Sequence, residues 1–257
     1  MNSARRRESG QLIRHLTGNF AGRDFVVGDL HGHRRQFDEL LARCGFDAGR
    51  DRVFSVGDLI DRGPDSPACL SLLREPWFHA VRGNHEQMLL DAYEGDDEAA
   101  AIWFNNGGRW ARDANEANLD RWASKIRALP LVISVAEGAG RFNILHAETC
   151  RTDEELDCGD LSAHQVERLL WGRSLVGGGG SRFSNVELTA AGLRQPRLST
   201  TYVGHTPVLA VRRIGSHVFV DTGAGKPRGF LTLLEPATGR TWDGRRDFGE
   251  EGALQWE

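Results

Sequence analysis

The stretch VFSVGDLIDRG, residues 53–63, decides how this chain is read. Four apolar or small residues end abruptly in a glycine and an aspartate, and a second aspartate and an arginine follow within four positions. A run that short and rich in Val and Phe suits a buried strand better than a helix. The same signature recurs on both sides. Residues 25–27 run into Gly28 and Asp29, and residues 78–81 run into Arg82, Gly83, Asn84 and His85. Further along, residues 142–145 run into His146, Tyr202 and Val203 into Gly204 and His205, and residues 218–220 into Asp221, Thr222 and Gly223.

Helical patterns separate the early runs. Phe37, Leu40, Leu41 and Cys44 fall at helical spacing, and Ser66 is placed to cap a second helix with Pro67 at its first position and Cys69, Leu70, Leu72 and Leu73 inside. Later, Leu119, Trp122, Ile126 and Leu129 keep the period until Pro130, and Ser162 with Gln165 forms a capping box ahead of Val166, Leu169 and Leu170. Strand, helix, strand, helix, strand predicts a parallel sheet covered by helices, with ligands beyond the carboxyl ends of its strands. Residues 208–211, 217–220 and 230–234 are short runs split by turn residues and predict antiparallel strands. The fold class expected is therefore α/β, a mixed β-sandwich flanked by helices. Residues 1–23 read as an N-terminal tail and 24–257 as a single catalytic domain, with the glycine tract 177–180 as a flexible loop.

Composition narrows the function. The chain has 257 residues, 40% apolar and 26% charged, which fits a globular protein with a full core and excludes a disordered or collagen-like one. A net charge of −4 lacks the basic excess of a phosphate-backbone binder, so nucleic acid is not expected as a partner. No apolar run is long enough to span a bilayer, and the basic start MNSARRR leads into no signal-like stretch, so the chain reads as cytoplasmic with no membrane partner. Its four cysteines, at 44, 69, 150 and 158, have no CxxC spacing and read as reduced, structural or incidental thiols.

The strand ends offer Asp29, His31, Asp58, Asn84, His146 and His205. Oxygen and imidazole donors in this mix suit Mn, Fe or Zn, whereas an all-oxygen cage would suggest Mg or Ca. Six ligands exceed what one ion with an open reactive position uses, so two divalent ions are expected, with a shared carboxylate between them.

In this order, GDLHG (28–32), GDLIDRG (57–63), VRGNHE (81–86), His146 and GHTP (204–207) resemble the metal-dependent phosphoprotein phosphatases of the calcineurin-like metallophosphoesterase superfamily. Among them the small lambda-type bacterial and phage serine/threonine phosphatases are the most similar, on PWFHAVRGNHEQM (76–88), NNGGRW (105–110), LLWGR (169–173) and VDTGA (220–224). The resemblance spans roughly residues 24–235 and lacks the long eukaryotic-type C-terminal segment, so no regulatory subunit is implied. It implies a calcineurin-like fold with the dimetal site at the strand ends. Asp29 and His31 would hold one ion, Asp58 would bridge, and Asn84, His146 and His205 would hold the other, with Mn expected first. His85 would be the general acid, with Asp61 beside it, and Arg62, Arg82 and Arg173 would grip the phosphate.

The reaction so implied is hydrolysis of phosphorylated proteins or peptides by direct attack of a metal-bound hydroxide, without a phosphoenzyme. Glu148 departs from the family's usual pattern after the histidine and reads as a solvated loop residue. Two rival readings stand beside this one. DRGP (61–64) also occurs in dinucleoside polyphosphate hydrolases of the same superfamily, and a catalytically silent binding module would keep the fold without the chemistry.

Overall fold

Two six-stranded sheets stack face to face in the computed structural model, which describes residues 12–95, 97–138, 140–175, 197–245 and the backbone of 252–253. The strands are β1 (Ile13–Leu16), β2 (Asp24–Val27), β3 (Arg52–Ser55), β4 (Phe78–Ala80), β5 (Val132–Glu137), β6 (Gly140–Leu145), β7 (Thr200–Val203), β8 (Arg212–Ile214), β9 (His217–Phe219), β10 (Thr232–Leu234), β11 (Arg240–Asp243) and β12 (Gly252–Ala253). One sheet runs in the order β12-β11-β10-β2-β3-β4 and the other β1-β5-β6-β7-β9-β8. In the first, β2, β3 and β4 are parallel, joined by α1 (Arg34–Arg43) and α2 (Ser66–Ser71); in the second, β6, β7 and β9 are parallel.

Central strands such as β2, β3 and β9 are buried on both faces, which is why they read as short apolar runs and not as alternating ones. Successive side chains still part by face. Phe25 and Val27 of β2, with Val53 of β3, pack under the helices, while Val26 and Phe54 join Ile133, Val135, Phe142, Ile144 and Tyr202 between the sheets. Outside the second sheet, Leu156 of α6 (Asp153–Asp157) and Leu169 and Leu170 of α7 (Ala163–Trp171) close a third cluster. Three further helices are α3 (Asn84–Glu94), α4 (Asp97–Asn105) and α5 (Glu116–Arg127).

Several expectations are corrected. The tail assigned to residues 1–23 contains β1, which pairs in parallel with β5 and buries Ile13; one inward residue in four leaves too weak an apolar signal to announce an edge strand. Asp65, not Ser66, caps α2 by accepting from the Ala68 amide at 2.9 Å, because the Ser66 hydroxyl is taken by the Asp61 amide at 2.8 Å. Residues 208–211 form no strand; the expected antiparallel pairing begins at β8, opposite β9, and Leu209 is left exposed. The capping box of Ser162 and Gln165 is present. The glycine tract 177–180 lies outside the described residues. Cys150 and Cys158 are both free and exposed. Among the described residues, no helix is long and apolar enough to cross a membrane.

Candidate metal centre

The loops after β2, β3, β4, β6 and β7 meet at one end of the sandwich, and backbone strain is concentrated there. His31, Asp58, Asp61, Arg62 and His205 all have positive φ, between 42° and 74°. Left-handed backbone is costly for such residues and persists only where surrounding structure imposes it. Two glycines let the loops interlock. A Cβ on Gly83 would lie 2.2 Å from Asp58 Oδ1, and one on Gly204 would lie 2.0 Å from Asp29 Oδ1.

Asp58 stands at the centre. Its Oδ2 lies 3.7 Å from His31 Nε2 and 3.9 Å from His85 Nε2, while its Oδ1 lies 3.4 Å from His146 Nε2. Donor atoms of His31, Asp58 and His85 gather in one group and those of Asp58, His146 and His205 in a second, each within 4.8 Å, so one carboxylate serves both. Asn84, the first residue of α3, places Oδ1 at 2.8 Å from His146 Nε2 and 2.9 Å from His205 Nδ1. The same helix start sends the His85 amide to Asp58 Oδ1 at 3.0 Å, so the positive end of its dipole faces the shared carboxylate.

The ring orientations fit a cation. His31 and His146 turn Nδ1 to the carbonyls of Ile60 and Val56 at 2.9 and 2.8 Å; with the proton donated there, each Nε2 presents a lone pair to the centre. Burial lowers the pKa of His146, takes His31 down to about 3 and His205 to about 2, which keeps all three imidazoles neutral, as ligation requires. Carboxylates crowd the same space. Burial, then Asp221 and Asp58, push Asp29 well above its usual range, and burial with Asp58 also facing it takes Asp221 up to about 6. Burial opposes the Asp58 charge too, but the His85 imidazolium and the His85 amide facing it hold this carboxyl low. Lone pairs of Asn84, His146 and Asp58 converging beside buried acids are a donor set that a divalent cation satisfies and that is repulsive without one.

Asp29 belongs to neither group of donors. Its oxygens accept the His205 amide at 3.2 and 3.1 Å, and it remains buried beside Asp58 and Asp221. His85 gives Nδ1 to Asp61 at 2.6 Å, while its buried Nε2 has no hydrogen-bond partner among the described residues. Burial would depress this imidazole, but Asp58 and Asp61 outweigh it and raise its pKa. Arg62 and Arg173 reach the centre, with Arg62 Nη1 2.6 Å from His31 Nε2 and Arg173 Nε 3.0 Å from His205 Nε2. Arg82 is engaged elsewhere. Its guanidinium binds the carbonyls of Arg127 and Leu129 at 2.9 and 3.2 Å and Gln87 Oε1 at 3.1 Å, so it ties the end of α5 to the loop after β4.

Sequence reasoning gave no supporting role to Glu86, Trp103 or Asp221. Glu86 is wholly buried and accepts the amides of Asp58, Leu59 and Gly83 at 2.8, 2.8 and 2.9 Å, which locks the second motif to the third. Asp61 accepts Trp103 Nε1 at 2.9 Å and Trp110 Nε1 at 2.6 Å in addition to His85. Trp110 lies in a quoted motif; Trp103 has no local signal beyond an apolar helix. Asp221 carries the same strand-end signature as the candidate ligands. Glu148, expected to be solvated, is only 2% exposed.

The family model of calcineurin-like phosphoesterases matches residues 25–209. Serine/threonine-protein phosphatase 1 of Salmonella typhimurium is 35% identical over 207 residues, covering 78% of this chain and 86% of that protein. A symmetrical bis(5'-nucleosyl)-tetraphosphatase of Aromatoleum aromaticum is 45% identical, but over 74 residues that make up 28% of this chain and 27% of that protein. Among solved structures, that of a putative diadenosine tetraphosphatase superposes with a TM-score of 0.64 at 23% identity, over 90% of this chain and 96% of the other. That identity speaks to the fold alone, and the fold agrees with the two-sheet sandwich and its strand-end loops. On the family match, on the near full-length relative and on the shared Asp58 centre, the chain belongs to the calcineurin-like phosphoesterase family.

Proposed function

We propose that this chain is a metal-dependent protein serine/threonine phosphatase that hydrolyses phosphate monoesters of phosphorylated proteins and peptides. The observation that carries the reading is Asp58 shared between two groups of donors, the first of which includes the Nε2 of His85, an atom with no hydrogen-bond partner among the described residues. His31 and Asp58, with Asp29 alongside, would hold one ion, and Asp58, Asn84, His146 and His205 the other. Mn is favoured, and Fe or Zn suits the same mixed oxygen and nitrogen donors. Two divalent ions so held would lower the pKa of a water towards neutrality and offset charge on the phosphoryl oxygens.

The remaining steps belong to side chains of this chain. Arg62 and Arg173, now resting on His31 and His205, present guanidinium forks where two phosphoryl oxygens would arrive. His85, held by Asp61 through Nδ1, offers a proton from Nε2 to the departing serine or threonine oxygen. Trp103 and Trp110 fix Asp61, so the His85 ring is aimed through two tethers. Arg82 contributes by holding the loop after β4 and not by touching phosphate.

A second reading, hydrolysis of dinucleoside polyphosphates, is favoured by the short match to the tetraphosphatase. That match covers about a quarter of the relative, against most of the protein phosphatase. Turnover of a phosphothreonine peptide and of diadenosine tetraphosphate, measured side by side with Mn, decides. The proposal expects the peptide to be preferred; preference for the dinucleotide would overturn it.

A further inference from the structure

We infer that Glu148 is a positioning residue for Arg173, a clamp that sets where the guanidinium stands over the centre. The inference rests on the phosphate-binding role proposed for Arg173. Glu148 follows the ligand His146 by two residues, yet its carboxylate is devoted to the segment that carries the arginine. Oε1 accepts the Ser174 amide at 3.1 Å and the Ser174 hydroxyl at 2.6 Å, and Oε2 accepts the Leu175 amide at 3.0 Å. Arg168 of α7 supplies the countercharge, with Nη2 3.2 Å from Oε1.

The stem of the acid is fitted as closely as its head. A Cβ on Gly172 would fall 2.3 Å from Glu148 Cγ and 2.7 Å from the Arg168 carbonyl, so the acid reaches the Ser174 amide only because position 172 is a glycine. Arg173 is therefore flanked on both sides by contacts to one side chain. Its Nε lies 3.0 Å from His205 Nε2 and its Nη2 3.3 Å from the His205 carbonyl, so the geometry of the loop becomes the geometry of the guanidinium. A long, rotamer-rich side chain placed by a loop needs such an anchor, because a misplacement of about 1 Å at a reacting group costs on the order of 10²-fold in rate. Both Glu148 oxygens are occupied, which leaves the group structural in its chemistry and catalytic only through the arginine.

A double-mutant cycle on the Mn-loaded protein tests this, with calorimetric binding of inorganic phosphate as the readout and metal content checked for every variant. Charge-assisted hydrogen bonds of this kind lead us to expect phosphate affinity about tenfold weaker in Glu148→Ala and at least as much weaker in Arg173→Ala. The double variant should bind no more weakly than Arg173→Ala alone, and Glu148→Gln, which keeps one acceptor for the loop, should fall between wild type and Glu148→Ala. Losses that multiply in the double variant, or unchanged affinity in Glu148→Ala, would overturn the inference. If Glu148→Ala does not fold, Glu148→Gln takes its place in the same cycle. Phosphate binding is read without turnover, so failure of the protein phosphatase reading would appear separately, as an absence of phosphopeptide hydrolysis in the wild type.

Discussion

Replacing Asp61 by asparagine tests the proposed proton donor through its support. The carboxylate accepts four contacts: Trp110 Nε1 at 2.6 Å and Trp103 Nε1 at 3.2 Å on Oδ1, and Trp103 Nε1 at 2.9 Å and His85 Nδ1 at 2.6 Å on Oδ2. An amide has one accepting oxygen. Whichever way it turns, its NH₂ group meets a buried N–H donor, which costs about 1 to 3 kcal/mol of stability. For a domain of this size that corresponds to a fall in Tm of roughly 2 to 4 °C per kcal/mol. The catalytic loss is separate. Without the negative charge beside Nδ1, His85 holds its proton less well and its ring is less firmly aimed, so kcat for phosphoserine or phosphothreonine peptides should fall by about 10² to 10⁴. The p-nitrophenyl ester is the control, because its leaving group departs as a stable anion and needs no proton; its kcat should fall far less. Steady-state kinetics on both substrates, with metal content measured, reads the difference. Equal losses on the two would refute the reasoning, since they would place Asp61 in metal binding or folding and not in support of an acid.

Three further outcomes follow from the same geometry. His85→Asn should reproduce the leaving-group dependence of Asp61→Asn while retaining both metals; loss of an ion, measured by plasma mass spectrometry, would show that His85 is a ligand, as its place beside His31 and Asp58 also permits. Arg82→Ala should lower stability by about 1 to 3 kcal/mol in urea denaturation, through the carbonyls of Arg127 and Leu129 it strands, with less than a threefold change in KM. A large rise in KM with unchanged stability would instead return this arginine to the phosphate. Gly204→Ala should abolish metal-dependent hydrolysis, because its Cβ would sit 2.0 Å from Asp29 Oδ1; near wild-type kcat would show that the loop has room the structure denies.

What was legible in the sequence is what the chain writes locally. A strand followed at once by a residue of the candidate site, as in residues 25–29 and 53–58, announces both the buried sheet and the site's position, and parallel strands bring such ends together. Support from distant segments leaves no such mark. Glu86 binds the Asp58 amide 28 residues away and Trp103 binds Asp61 from 42 away, and only the fold joins them. Arg82 shows the converse case. Its motif places it beside the centre in sequence, but the end of α5 offers carbonyls that claim its guanidinium. Glu148 looked like a solvated loop residue because the amides that bury it lie across the site, on a loop whose link to His146 exists in three dimensions alone.

Metal stoichiometry tests the central claim most directly. Mn-loaded wild-type protein, dialysed and analysed by plasma mass spectrometry, should hold two ions per chain, and Asp58→Asn should lose tight binding at both positions, because among the described residues that carboxylate alone belongs to both groups of donors. A single ion per chain in the wild type, or two retained in Asp58→Asn, would contradict the account.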